Sequence, residues 1–151
     1  MDDAPILICY DGSEESQRGI DTAASLLSGR HAVVLDIGAT ITASESLATL
    51  SPVVPGAAFE QLNTEDALRR AQAGAEHARV AGFDAEPRAE LGAPTWQGIV
   101  DVADEINAAV IVVGSRGLNG LEEAIKGSVS HAVAEHAGRP VLIVPPAHGK
   151  S

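Results

Sequence analysis

The chain has 151 residues, of which 45% are hydrophobic, and a formal net charge of −11 at pH 7. This length suits one domain with a substantial core, so we take residues 1–151 as a single domain. The negative charge excludes non-specific nucleic-acid binding, which depends on Lys and Arg at the phosphates, and a single cysteine excludes an intrachain disulfide.

The first three residues lack the basic segment of a secretory signal, and no apolar stretch reaches membrane-spanning length. We therefore expect a soluble, cytoplasmic protein with no membrane partner.

The first predicted elements are a strand, a helix and a second strand. The apolar run Pro5–Tyr10 has the length of a strand and contains Cys9 as a small buried residue. Ser13 is a good N-cap and predicts the start of a helix. The second strand is predicted over Ala32–Ile37.

The next segment, Gly38–Asn63, fits no regular element. It is rich in Ala, Ser, Thr and Pro, is nearly uncharged and is longer than most loops. We therefore predict a partly flexible loop with a short helical piece near Ala43–Leu50. A second helix is predicted over Thr64–Ala81. Its apolar spacing predicts a buried face made of Leu68, Ala71, Ala75 and Ala78.

Three further strands and two helices complete the pattern. They are the strand Ala85–Leu91, the helix Pro94–Asn107, the strand Val110–Val113, the helix Ser128–Ala137 and the strand Val141–Val144. Pro87 cannot donate a hydrogen bond to a neighbour, so its strand is predicted at an edge of the sheet. Apolar strands that alternate with helices predict a parallel sheet covered on both faces, in a doubly wound α/β fold. Such folds bind ligands outside the carboxyl ends of the strands, where the strand order reverses.

The most informative pattern is G-x2-G-x9-G-S, formed by Gly114, Gly117, Gly127 and Ser128. It opens directly from the apolar run Val110–Val113 and leads into a predicted helix. Glycines at a strand exit let the main chain approach a ligand closely because they have no Cβ. A Gly-Ser pair at a helix start offers N–H groups, a hydroxyl and the positive end of the helix dipole. Together these features favour phosphate binding.

Two better-known phosphate motifs are excluded, and one structural alternative stays open. No G-x-G-x-x-G fingerprint follows the first strand, where only Asp11-Gly12-Ser13 occurs, and the chain has no G-x4-G-K-[ST] P-loop. In the alternative, the motif has no ligand: Gly114, Gly117 and Gly120 are ordinary loop glycines, and Gly127 forms a bend before a helix. The strand before the motif and the serine at the helix start favour phosphate.

The motif, and nearly the whole chain with it, resembles the universal stress protein family, specifically its ATP-binding, single-domain branch. The resemblance implies a five-stranded parallel sheet of order 3-2-1-4-5, in which the strand ends at Asp11 and Gly114 face each other. It also implies ATP with Mg²⁺ as the ligand, a stress-response function based on nucleotide binding and not on catalysis, a homodimer formed through Val141–Val144, and an unknown protein partner. The nucleotide-binding residues that it implies are Asp11, Ile37, Val113, Gly114, Ser115, Arg116, Gly117, Gly127, Ser128, Val129 and Ser130.

Several of these residues also have ordinary structural explanations. Asp11 matches an acidic residue that the family places near the adenine and ribose, but Asp-Gly-Ser is also common turn chemistry. Arg116 is either a charge partner for phosphate or a solvated loop arginine, and Ser128 is a phosphate ligand, a helix cap or both. At the end of the second strand, Ile37 matches a family position that lines the adenine pocket. The preceding residue, Asp36, stands at a position where the family commonly has histidine, and this departure bears on the polarity of the pocket.

Nothing in the sequence forms a recognisable catalytic set. The five histidines are scattered without metal-ligand spacing, and no general base stands out. The pair Glu122-Glu123 lies between the two halves of the motif and would repel a triphosphate unless it points away or Mg²⁺ intervenes. Three functions stay open: an ATP-binding stress protein, which we favour, a nucleotide-free interaction module of the same fold, and an ATP-using enzyme.

Overall fold

The computed structural model describes residues 4–38, 56–91, 95–114 and 129–145, which build a five-stranded sheet with helices on both faces. The strands are β1 (Ile6–Cys9), β2 (His31–Gly38), β3 (Asp84–Leu91), β4 (Val110–Gly114) and β5 (Val141–Val144). The helices are α1 (Glu14–Leu27), α2 (Gly56–Ala81), α3 (Thr95–Ile106) and α4 (Val129–His136). All neighbouring strands are parallel, in the order β3-β2-β1-β4-β5. The predicted doubly wound α/β fold and its strand order are confirmed.

The apolar strands supply two separate cores, one on each face of the sheet. Successive strand residues point to opposite faces, so a continuous apolar run serves both layers. The first core contains Ile8 and Val34 and packs against α1 and α2. The second core contains Leu7 and Ile111 and packs against α3 and α4.

The start of α1 follows the prediction made for Ser13. The Ser13 backbone is extended, and its Oγ accepts a hydrogen bond from the Ser16 N–H at 3.1 Å. Glu14 and Glu15 occupy the first turn, where their charges suit the positive end of the helix dipole. The predicted N-cap is confirmed.

The predicted loop over 38–63 and the predicted helix start at Thr64 are wrong in their bounds. Strand β2 continues to Gly38, and helix α2 begins at Gly56. The residues that follow Gly56 include Ala, Glu, Gln and Leu, which favour helix. Extending an existing helix costs far less than starting one, so this segment joins the helix behind it. The predicted helical piece Ala43–Leu50 lies outside the described residues.

The buried face of α2 also differs from the prediction at one position. Ala67 is fully buried, whereas Leu68 is 38% exposed. Helix α2 lies very close to the sheet at Gly74, where an added Cβ would stand 2.7 Å from the ring of Tyr10. A face this close to the sheet has room for Ala and Gly but not for Leu, so the helix turns its small residues inward.

The remaining elements agree with the predictions to within two residues at their ends. Strand β3 is an edge strand, as Pro87 predicted. Pro94 and Ser128, the predicted first residues of α3 and α4, lie outside the described residues. Within the described ranges, no helix combines the length and the apolar character needed to cross a bilayer.

Candidate functional site

The carboxyl edge of the sheet brings together three predicted site residues. The register of β1 with β2 places Asp11 level with Ile37, and the register of β1 with β4 places Asp11 one residue beyond the level of Gly114. The chain moves outward from β1 through β2 and β3 on one side, and from β4 to β5 on the other. The strand order therefore reverses between β1 and β4, which is where folds of this kind bind ligands.

Asp11 forms the Asp-Gly-Ser turn that was the alternative to a contact with adenine and ribose. Its Oδ1 accepts a hydrogen bond from the Ser13 N–H at 2.9 Å, and its own N–H donates to Ser16 Oγ at 3.4 Å. Gly12 has a φ of +87°, a conformation that favours glycine and lets the chain turn sharply from β1 into α1. The turn holds the half-buried Asp11 carboxylate at the edge of the sheet, and its contact with a nucleotide stays a prediction.

Gly114 ends β4 at a place where the described structure leaves space. An ideal Cβ at Gly114 meets no described atom within 4 Å, and its φ lies outside the positive range that favours glycine. Neither the backbone conformation nor the packing of the described residues therefore requires a glycine here. This is the position at which the sequence predicted close approach of a ligand to the main chain.

The second core continues up to the same edge. Val113 is buried within it, and Ile37 and Val129 pack against it. Val129 opens α4, and Ser130 is buried in the first turn of that helix. The structure thus gathers Ile37, Val113, Val129 and Ser130 at the carboxyl edge, on the face covered by α3 and α4.

The centre of the motif lies outside the described residues. This applies to Ser115, Arg116, Gly117, Gly127 and Ser128, and their nucleotide contacts stay predictions. Glu122-Glu123 and Gly120 also lie outside the described residues.

One feature that the sequence did not predict is an ion pair between β2 and α2. Asp36 is 1% exposed, and Arg70 donates to it from Nε at 2.8 Å and from Nη2 at 3.1 Å. Burial raises the pKa of the Asp36 carboxyl, and the hydrogen bonds and charge of Arg70 oppose that rise. The hydrogen bond to Asp36 in turn raises the pKa of Arg70. In the sequence, the one sign of this ion pair was a carboxylate, Asp36, inside an apolar strand.

The ion pair shows how Asp36, which stands where the family commonly has histidine, affects the site. Asp36 faces α2, whereas its neighbour Ile37 packs with the second core on the opposite face. The Cδ of Arg70 lies 3.5 Å from the position that a Cβ on Gly12 would take, so the Arg70 side chain covers the turn after β1. Asp36 therefore supports this turn from the α2 side and does not change the polarity around Ile37.

Cys9 is a buried member of the second core, as the sequence predicted. Burial raises the pKa of its thiol to about 12, and the charge of Asp11 adds to the rise. The thiol is therefore protonated at neutral pH and is a poor nucleophile.

Two of the histidines lie in ion pairs away from this edge. At the start of β2, the His31 ring contacts Asp84 at 3.3 Å and Glu86 at 2.7 Å. Burial lowers the pKa of His31, but hydrogen bonds to the two carboxylates outweigh it and raise the pKa above 6.5. His77 binds Asp21 at 2.8 Å and links α2 to α1. Among the described residues, no group of three or more His, Cys, Asp or Glu side chains is arranged to hold a metal.

Comparison with known proteins places this fold in a family. Residues 4–145 match the model of the universal stress protein family. The chain belongs to the universal stress protein family. It is 33% identical over 144 residues to universal stress protein YxiE of Bacillus subtilis (strain 168), covering 92% of this chain and 97% of that protein.

Two solved structures share this fold. A universal stress protein crystallised in complex with cAMP is 25% identical, with a TM-score of 0.61 over 96% of this chain and 98% of that one. The structure of the protein MJ0577 matches the fold with a TM-score of 0.75 at 22% identity, over 99% of this chain and 100% of that one.

Proposed function

We propose that this universal stress protein binds an adenine nucleotide, with ATP as the preferred ligand, at the carboxyl edge between β1 and β4. The observation that carries the proposal is the reversal of strand order between Asp11 and Gly114, beside the first turn of α4. The N–H groups of a first helical turn and its dipole favour an anion. A family member that is 25% identical was solved with cAMP, which shares adenine, ribose and a phosphate with ATP.

Gly114 fits the proposal. Its Cβ-free main chain stands at the end of β4, and an added Cβ would meet no described atom within 4 Å. A ligand phosphate or ribose can approach such a main chain closely. When ATP is bound, Mg²⁺ would neutralise part of its phosphate charge and keep most of its own water ligands.

We propose a binding function and not turnover, as the family resemblance implies. Among the described acidic groups at this edge, Asp36 is held by two donors of Arg70, and Oδ1 of Asp11 accepts from the Ser13 N–H, so both carboxylates have structural roles. We infer that nucleotide occupancy shifts the conformational equilibrium of the protein and that a protein partner responds to that shift.

Calorimetric titration of the full chain with ATP, AMP and cAMP tests the site. We expect ATP to bind most tightly and Gly114→Val to weaken ATP binding by about tenfold or more, since the new side chain would fill the space of the ligand. The melting temperature of Gly114→Val is measured beside the titration and separates a loss of affinity from a loss of stability.

Three outcomes would count against this function. Unchanged ATP affinity in Gly114→Val would move the site elsewhere. Failure of the wild-type protein to bind any of the three nucleotides would favour the interaction module. Steady release of ADP from the same samples would favour an ATP-using enzyme.

We further propose a homodimer formed through β5, the edge strand Val141–Val144. Its four residues are apolar, and Ile143 is 41% exposed. An exposed apolar edge strand pairs readily with another chain, and a second copy satisfies it with two-fold symmetry.

Light scattering at micromolar concentration tests the dimer. We expect a dimeric wild type and a monomeric Ile143→Lys, because a charge on each copy would be brought together at the interface. Val80→Lys is the matched control, since Val80 is 82% exposed on α2 and its replacement should leave the dimer intact. A monomeric wild type, or a dimeric Ile143→Lys, would contradict the proposal.

A further inference from the structure

Arg18 lies at the carboxyl edge on the side of β5. It is exposed on α1, which packs against β4 and β5, and its Nε donates to the carbonyl oxygen of Pro145 at 3.2 Å. Pro145 directly follows Val144, which pairs with Gly114. Neighbouring strands lie about 4.8 Å apart. The guanidinium of Arg18 is therefore held close to the end of β4, where the proposed site begins.

The charge of Arg18 is not committed to a carboxylate among the described residues. Most described arginines have an acidic partner: Arg69 with Asp66, Arg70 with Asp36, Arg79 with Glu76, Arg88 with Glu90 and Glu105, and Arg139 with Asp104. Arg18 and Arg30 bind main-chain carbonyls instead. Arg30 stands just before β2, at the opposite edge of the sheet, where it donates to the carbonyl of Ala4.

This distribution matters because the chain as a whole is acidic, with a net charge of −11. The net negative charge of the protein repels an anionic ligand, so a binding site for that ligand needs a positive charge nearby. Glu14, one helical turn before Arg18, could compete for the guanidinium, but the described structure has no ion pair between them. Among the described residues, the Nη donors of Arg18 have no carboxylate partner.

We infer that Arg18 binds the outer phosphates of the nucleotide, an inference that rests on the proposed function. The adenine would then lie toward Ile37 and Asp11, and the phosphate chain would pass over the end of β4 at Gly114, from the face covered by α4 to the face covered by α1. A guanidinium suits this role because it offers several donors in one plane to phosphate oxygens. The competing explanation is that Arg18 only ties the end of β5 to α1 through Pro145.

Titration with adenosine, AMP, ADP and ATP separates the two roles of Arg18. In wild type, affinity should rise along this series. In Arg18→Gln, we expect ATP to bind about tenfold more weakly and adenosine to bind within about twofold of wild type. Arg18→Lys should retain part of the gain from adenosine to ATP, since it keeps the charge but loses the planar donors.

The matched control is Arg79→Gln, which removes the same charge from an exposed arginine in the last turn of α2, at the opposite edge of the sheet. It should bind ATP as the wild type does. Equal weakening of adenosine and ATP in Arg18→Gln would make Arg18 a structural tether and overturn the inference. Unchanged ATP affinity in Arg18→Gln would also overturn it while leaving the proposed function intact. Failure of wild type to bind ATP would overturn both.

Discussion

At the scale of single residues, the pair of Asp36 and Arg70 is the clearest electrostatic feature of the described structure. Asp36 is buried beneath α2, and both of its oxygens accept from Arg70. A buried carboxylate without such a partner is costly, whereas the intact pair stabilises little beyond an apolar pair of similar size. The pair therefore matters mainly through what happens when one member is lost.

Removal of Arg70 alone should destabilise the fold. We expect Arg70→Met to lower the free energy of unfolding by about 3 kcal/mol, because it leaves Asp36 buried without its donors. The double variant Asp36→Val with Arg70→Met should recover most of that loss, since Val suits a buried strand. Urea unfolding of the two variants and wild type measures both effects. A double variant as unstable as Arg70→Met would contradict this account.

The same scale shows which residue roles can be predicted from sequence. The cap at Ser13 and the turn at Asp11 were predictable because their hydrogen-bond partners lie within five residues of them along the chain. The partner of Asp36 is 34 residues away, and only the packing of α2 brings it there. Local chemistry predicts local bonds, and long-range pairs need the fold.

At the scale of elements, the close approach of α2 to the sheet governs which residues the helix tolerates. A Cβ at Gly74 would lie 2.7 Å from the ring of Tyr10 and 2.9 Å from Val34. We expect Gly74→Ala to destabilise the protein by about 1–3 kcal/mol, because overpacking outweighs the better helix propensity of Ala. Thermal unfolding measures the change.

Gly19 on α1 is the matched control for Gly74. It is buried inside a helix, but a Cβ there meets no described atom within 4 Å. Gly19→Ala should therefore stabilise the protein by about 0.5–1 kcal/mol. If both substitutions shift the melting temperature in the same direction, steric contact at Gly74 is not what sets the position of α2.

The two errors in α2 have different physical origins. The apolar spacing predicted Leu68 on the buried face, whereas the structure buries Ala67. The tight contact at Gly74 favours the smaller one. The predicted start at Thr64 falls inside the helix, because helix-forming residues already precede Thr64 and extend the helix back to Gly56.

At the scale of the whole molecule, the alternation of strands and helices was sufficient to predict a doubly wound sheet. The strand order came from the family resemblance, and the structure confirms it. The candidate site is predicted less completely, because its described part consists of strand ends and one helix start, whereas residues 115–128 lie outside the described ranges. The strand ends nevertheless converge where the order reverses, which is a property of the topology and not of any one residue.

Mapping the ATP site by NMR tests the central claim most directly. The uniformly labelled full chain, at 15.5 kDa, is titrated with ATP while the backbone amide shifts are followed. We predict that the largest shifts occur at the carboxyl edge, including Asp11, Ile37 and Gly114, and that Arg30 and Phe83 at the opposite edge stay unchanged. Shifts centred on the opposite edge, or a spectrum unaltered by saturating ATP, would contradict nucleotide binding at the strand reversal.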